Sequence, residues 1–322
     1  MPLTILKDKN ALSFQHAVSM RQTLECGGRL SDKVVQLRWT GSGAVSIDVK
    51  KPYYWNYFPP ISLWILADRF PLKDVINLLN FYDPDVIVSY PGLLKTVVES
   101  RNLKIRPRLV FSTAEILGKD VRALIGKVLG ARVIDSYGCV EAGDIAWECP
   151  YGYEGYHINM DSVVVEFVKG GENVAAGEDG EIVLTTLFNY AMPLIRYRIG
   201  DVGSFSDENC LCGITLPLMH SLKGRFNDFI TLPDGRKLSP WFFWNSIDLT
   251  GVAQFRIVQE KIDVIRVLLK VAENYEVEQM EKTIKELRKV FGGQVNVVVD
   301  IVDKLPRDTS GKMRSVISKI QN

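Results

Sequence analysis

Tyr137-Gly138-Cys139-Val140-Glu141 places an aromatic ring, a glycine and a carboxylate within five residues. A ring can stack on a base, a glycine lets backbone approach a phosphate, and a carboxylate can hold Mg2+. The same residues would also serve as a plain structural turn. Upstream, Ser112-Thr113-Ala114-Glu115 follows an apolar run, and downstream Arg196-Tyr197-Arg198-Ile199-Gly200-Asp201 ends in a carboxylate suited to two vicinal hydroxyls. Two polar stretches complete the set. Lys223-Gly224-Arg225-Phe226-Asn227-Asp228 reads by itself as a surface turn, and Leu305-Pro306-Arg307-Asp308-Thr309-Ser310-Gly311-Lys312-Met313 is a loop bearing one lysine.

The cysteines suggest a second chemistry. Cys149 and His157 bracket one loop, and Cys210-Leu211-Cys212 is a C-x-C on another. Three thiolates and one imidazole would complete a tetrahedral structural zinc site. The alternative is a set of unrelated thiols, with His157 merely hydrogen-bonded. Cys26 reads as helical and Cys139 belongs to the Tyr137 stretch, so neither is assigned to metal. His16 and His220 read as structural.

The elements that must position these residues alternate. Ala11 to Cys26 reads as a helix stopped by Gly27-Gly28, and Val34 to Trp39 as a strand. Lys73 to Phe81 reads as a helix, Asp85 to Tyr90 as a strand stopped by Pro91-Gly92, and Leu93 to Glu99 as the start of a further helix. Leu109 to Ser112, Gly118 to Leu129 and Val133 to Ser136 repeat strand, helix, strand. Such alternation implies right-handed crossovers and a mostly parallel sheet, with ligands beyond the carboxyl ends of its strands. Ala114-Glu115 and the Tyr137 stretch then share one edge. From about Tyr156 the pattern turns antiparallel, with strands at Ser162–Val168, Glu181–Leu187 and Leu194–Ile199. A hairpin at Gln254–Glu260 and Val264–Val271, a helix from Val277 to Val290 and a strand at Val295–Val302 describe a small α+β unit. The fold class is therefore α/β, a large sheet domain with mixed strands followed by a small C-terminal domain.

Composition excludes several classes. The chain has 322 residues, 47% hydrophobic and 24% charged, and its 39 basic against 38 acidic residues leave a net charge of +1. That balance gives no field for nucleic acid or an anionic membrane surface. The longest early apolar run, Ile61 to Ala67, is too short to span a bilayer, and the N-terminal residues lack a signal-peptide pattern. Five cysteines without export signals point to a reducing, cytoplasmic setting.

In this order the Tyr137, Asp201, Arg225 and Lys312 stretches resemble the adenylate-forming superfamily of acyl-CoA synthetases, adenylation domains and luciferases. The finer resemblance is to the phenylacetate–CoA ligase-like branch, which includes the CapK proteins, and it runs over nearly the whole chain. It implies a large AMP-binding domain over residues 1–224 and a C-terminal lid over 225–322. Tyr137 with Gly138 would receive adenine and Ala114-Glu115 would lie beside it. Glu141 would bind Mg2+, Asp201 the ribose hydroxyls, and Arg225 ribose or phosphate. Asn227 would be the hinge, and Lys312 would bridge carboxylate and α-phosphate. A cation there offsets charge building on phosphorus. The implied reaction joins a carboxylate to AMP from ATP and passes the acyl group to CoA. The aromatic run Tyr53, Tyr54, Trp55, Tyr57 and Phe58 suggests an aryl or apolar acid.

Two departures accompany the resemblance. Val140 stands where the family carries Ser or Thr before the glutamate. The Ser/Thr/Gly-rich phosphate loop of the family belongs ahead of Met1-Pro2-Leu3-Thr4, and neither Thr40-Gly41-Ser42-Gly43 nor Gly118-Lys119 stands in its place. The expectation is impaired adenylation with AMP binding retained. The alternatives are a non-catalytic nucleotide- or acyl-binding homologue, or transfer of AMP to an acceptor other than CoA.

Overall fold

The computed structural model describes residues 4–38, 49–50, 62–66, 70–100, 102–152, 154–246, 251–271, 277–306 and 314–320. The chain divides into two compact units, Met1–Leu222 and Lys223–Asn322.

The first unit starts with α1 (Lys9–Glu25), which Asp8 caps by accepting the Ala11 N–H at 2.8 Å. Strands β1 (Val34–Arg38), β2 (Val49–Lys50) and β3 (Ser62–Leu66) precede α2 (Leu72–Tyr82). Then come β4 (Val86–Ser89), α3 (Pro91–Val98), β5 (Leu109–Thr113), α4 (Lys119–Leu129) and β6 (Arg132–Cys139). Here β3, β1, β4, β5 and β6 pair in parallel in that order, with helical crossovers between β3 and β6. Val75, Ile76 and Leu79 of α2, and Val121, Ile125 and Leu129 of α4, recur at helical spacing and are buried. Gly130 ends α4 in the left-handed region at φ 66°, returning its N–H to Gly126 O.

Strand β6 runs three residues beyond the expected strand end, so Tyr137, Gly138 and Cys139 are strand residues and the turn is confined to 140–142. It hands over to antiparallel pairing at β7 (Gly143–Glu148), a strand the sequence pattern did not suggest. There follow β8 (Tyr156–Ile158), β9 (Val163–Lys169), β10 (Glu172–Asn173), β11 (Gly180–Thr186), β12 (Tyr197–Ser206) and β13 (Leu218–Arg225). Asp201 thus lies inside β12 rather than closing a strand at Ile199. Likewise Lys223-Gly224-Arg225 ends a strand rather than forming a turn; the turn is the short 3-10 helix Phe226–Asp228. β4 ends before Pro91 as expected, and α3 opens at Pro91 rather than Leu93, because the missing proline N–H falls where a helix leaves that donor unpaired.

The second unit contains β14 (Ile230–Thr231), β15 (Lys237–Leu238), α5 (Pro240–Ser246), β16 (Val252–Lys261), β17 (Val264–Val271), α6 (Val277–Phe291), β18 (Asn296–Ile301) and β19 (Val316–Ser318). Its four-stranded sheet has the order β18-β17-β16-β19. Phe243, Phe255, Ile257, Ile265, Val267, Leu287, Phe291 and Val316 form its core. The large mixed sheet domain and the small α+β region are the α/β class expected. Among the described residues no helix is long and apolar enough to cross a membrane.

Candidate functional site

At the carboxyl edge of the parallel strands, Thr113 of β5 lies opposite Ser136 of β6, so Ala114 and Tyr137 follow side by side. Ala114 has φ 67°, a left-handed conformation that L residues adopt at a cost of about 1–3 kcal/mol. Beside it, Glu115 Oε2 accepts the Gly92 N–H at 3.0 Å, a carboxylate placed at the positive end of α3. Fold maintenance therefore uses at least one oxygen of Glu115.

Tyr137 Oη donates to Asp201 Oδ2 at 2.8 Å, tying β6 to β12. Tyr197 of β12 returns the contact, its Oη donating to Glu141 Oε1 at 3.4 Å. Two tyrosine–carboxylate pairs thus run in opposite senses between the same two segments. The Tyr137 ring is only 7% exposed and packs with Ala142, Ile145 and Ala146, so the ring surface it offers a base is small. A Cβ at Gly138 would lie 2.5 Å from the Gly143 carbonyl oxygen, so only glycine fits where β6 and β7 converge. Burial pushes the Cys139 thiol up to about 12, which makes it inert as a nucleophile. Val140 is 70% exposed, an apolar side chain at the open rim of the turn.

The four expected metal ligands also converge. Cys149 follows β7, His157 lies in β8, and Cys210 and Cys212 lie in the connection to β13. Their ligand atoms all fall within 4.8 Å of one another. Cys149 Sγ to Cys210 Sγ is 3.7 Å, and Cys212 Sγ to His157 Nε2 is 3.4 Å. A tetrahedron with metal–sulfur bonds of about 2.3 Å has sulfur–sulfur edges of about 3.8 Å, so the spacing suits a zinc ion. Burial lowers the His157 pKa and favours the neutral, ligating imidazole. The Ile214 N–H donates to Cys212 Sγ at 3.4 Å, the kind of backbone support thiolate ligands receive.

Arg225 and Asn227 belong to the second unit, Arg225 closing β13 with an exposed side chain. Lys312 lies outside the described residues, as do Thr40-Gly41-Ser42-Gly43 and the aromatic run Tyr53 to Phe58. Tyr197 is a site residue that no sequence motif marks by itself. Its signal was its place four residues before Asp201, with a register shift between Glu181 and Val183 of the facing strand β11.

The family described as CapK C-terminal domain matches residues 230–319. Protein CapK of Staphylococcus aureus is 26% identical over 301 residues, 87% of this chain and 64% of its own length. Phenylacetate-coenzyme A ligase of Thermus thermophilus is 30% identical over 167 residues, 49% of this chain and 38% of its own length. The chain thus spans less than two thirds of both relatives. Among solved structures, 2-hydroxyisobutyryl-CoA ligase in the postadenylation state with 2-HIB-AMP superimposes with a TM-score of 0.72 at 20% identity, over 96% of this chain and 69% of that one. That likeness establishes the fold. Together these matches assign residues 230–319 to the CapK C-terminal domain family and make the longer chain similar to the CapK and phenylacetate–CoA ligase-like branch of the acyl-CoA synthetases, of whose members it covers part of the length.

Proposed function

We propose that the chain is part of an AMP-forming acid–thiol ligase, with residues 1–224 as the AMP-binding domain and 225–322 as the lid. A carboxylate oxygen bonds to the α-phosphorus of ATP while the α–β anhydride breaks and pyrophosphate leaves. A thiol, CoA, then attacks the acyl carbon and AMP departs. The observation that carries this reading is the Tyr137–Asp201 hydrogen bond, at the sheet edge where strained Ala114 also lies. It supports an adenosine site with Tyr137, Gly138 and Ala114 at the base and Asp201 at the ribose. Glu141 would hold Mg2+, which offsets phosphate charge when bound. Arg225 would contact ribose or phosphate, Asn227 would be the hinge, and Lys312 would neutralise the reacting phosphate.

The acid we favour is aryl or otherwise apolar, in keeping with the phenylacetate named for the Thermus relative. Cys149, His157, Cys210 and Cys212 would hold a structural zinc. Five free cysteines are in keeping with the reducing cytoplasm. A second reading, a nucleotide- or acyl-binding homologue without catalysis, is favoured by exposed Val140 where a hydroxyl would meet phosphate. Transfer of AMP to a non-CoA acceptor shares the first half-reaction.

Calorimetric titration with AMP and a non-hydrolysable acyl-adenylate, beside carboxylate-dependent ATP–pyrophosphate exchange, separates these readings. The 322-residue polypeptide should bind AMP and the adenylate, and any exchange it shows should require added carboxylate. Lys312→Ala should remove whatever exchange remains and spare thioester formation from supplied acyl-adenylate. Failure to bind either ligand would sink the adenylation reading.

A further inference from the structure

The segment leading into α1 is fixed on both sides of Lys7. Before it, buried Asn189 donates from Nδ2 to the Leu6 carbonyl at 2.8 Å. After it, Asp8 caps α1. Phe14 of α1 stacks on Phe188, next to Asn189, with ring centroids 3.4 Å apart. The backbone at Lys7 therefore cannot move away without breaking one of these anchors.

Its side chain extends along α1 and meets that of Gln15, with Nζ donating to Gln15 Oε1 at 3.1 Å. Gln15 is itself packed on the β6–β7 turn: a Cβ added at Gly143 would lie 3.0 Å from its amide. One turn further, Ser19 Oγ donates to Asp144 Oδ2. One face of α1 thus carries the Lys7 ammonium to the level of Gly143, two residues from Glu141. A neutral amide takes one of its three donors and cancels none of its charge.

We propose that Lys7 is a phosphate ligand of the nucleotide site, its ammonium held by Gln15 beside the β6–β7 turn to receive phosphate or pyrophosphate oxygens. This rests on the adenylation reading for its nucleotide but not for its anion. Half-burial lowers the Lys7 pKa, while Cys139, Glu141 and Asp144 draw it back up, which locates the ammonium in their field. A fixed, partly desolvated cation binds a multiply charged oxyanion more strongly than a solvated one, because little ordering and dehydration remain. The alternative duty, balancing Glu141 and Asp144, needs no ligand and predicts a different outcome.

Adenosine, AMP and inorganic pyrophosphate should be titrated calorimetrically into the 322-residue chain and its Lys7→Met and Lys7→Arg variants, with melting temperature as the fold control. Lys7→Met should weaken AMP and pyrophosphate at least tenfold and leave adenosine within twofold, while Lys7→Arg recovers most of the loss. Unchanged pyrophosphate and AMP affinity, or an equal loss for adenosine, would overturn the assignment. If wild type ignores adenosine yet binds pyrophosphate through Lys7, the adenosine site is wrong and the anion site stands.

Discussion

Tyr137 Oη donates to Asp201 Oδ2 at 2.8 Å, so the residue proposed for the base and the residue proposed for the ribose share a proton. A base ligand and a ribose ligand joined this way are set at a fixed separation before any nucleotide arrives. Tyr137→Phe keeps the ring and removes only the donor. It should cost about 1 kcal/mol of stability and several-fold in AMP affinity. With Asp201→Asn the two losses should be less than additive, as for residues in direct contact. Thermal denaturation and AMP titration of the four-member cycle measure this. Fully additive losses would mean that the pair does not act as a unit.

The thiol and imidazole cluster leads to a compositional prediction. About one zinc per chain should be found by elemental analysis of protein purified without added metal, and Cys210→Ser/Cys212→Ser should lose it. Chelation should lower the melting temperature of wild type but not of the double variant, since a structural metal contributes folding free energy. His157 pairs across to Leu218 at the start of β13, so local protection from hydrogen exchange should fall there first. Stable, metal-free wild type would refute the site.

In the second unit, buried Arg256 donates from Nε to the Arg314 carbonyl at 3.0 Å and from Nη2 to the Pro306 carbonyl. Those carbonyls flank residues 307–313, which include Lys312. Arg314 in turn pairs with buried Asp228, of the 3-10 helix that follows β13. One guanidinium therefore fixes both stems of the lysine-bearing stretch. Arg256→Met would remove both hydrogen bonds, at about 0.5–1.5 kcal/mol each, since water can reach the freed carbonyls. The second unit should lose stability, and tryptic cleavage after Arg307 or Lys312 should accelerate. Arg256→Lys should recover only part, because an ammonium lacks the planar fork. An unaltered cleavage pattern in Arg256→Met would argue that the stems are held by other contacts.

Legibility followed the range of the interactions. The parallel half could be read because crossover helices stamp a periodicity on α2 and α4, and buried strands β4 and β5 stand out as apolar runs. Strand β7 could not, since Gly143-Asp144-Ile145-Ala146-Trp147-Glu148 does not alternate cleanly and owes its pairing to β6 and β8. Extension of β6 through Tyr137-Gly138-Cys139 was hidden for the same reason: Gly138 looks like a turn residue, but close backbone approach requires it there. Cys149, His157, Cys210 and Cys212 were legible as one candidate ligand set, because few other thiols or imidazoles compete, and the fold brings them together. Lys7 was illegible altogether, because nothing nearby in sequence says that Gln15 packs on Gly143.

Asp135 provides a prediction whose sign depends on pH. It lies on β6 two residues before Tyr137, buried, accepting the Tyr156 hydroxyl at 2.8 Å, with the Glu148–Arg122 pair alongside. Burial is the dominant influence and pushes its carboxyl up to about 6 from 3.8, against the pull of Tyr156 and with a further rise from Glu148. The folded chain therefore holds this proton more tightly than the unfolded chain. Its contribution to stability is full below pH 3.8 and is lost as pH rises through about 6. Asp135→Asn keeps an acceptor for Tyr156 and removes the charge. At pH 7 to 8 it should exceed wild type by up to about 3 kcal/mol, and near pH 4 the two should converge. Denaturant unfolding at intervals of half a pH unit measures the difference directly. A constant gap across that range, or a variant less stable at pH 8, would show that Asp135 is not titrating in the folded chain as described.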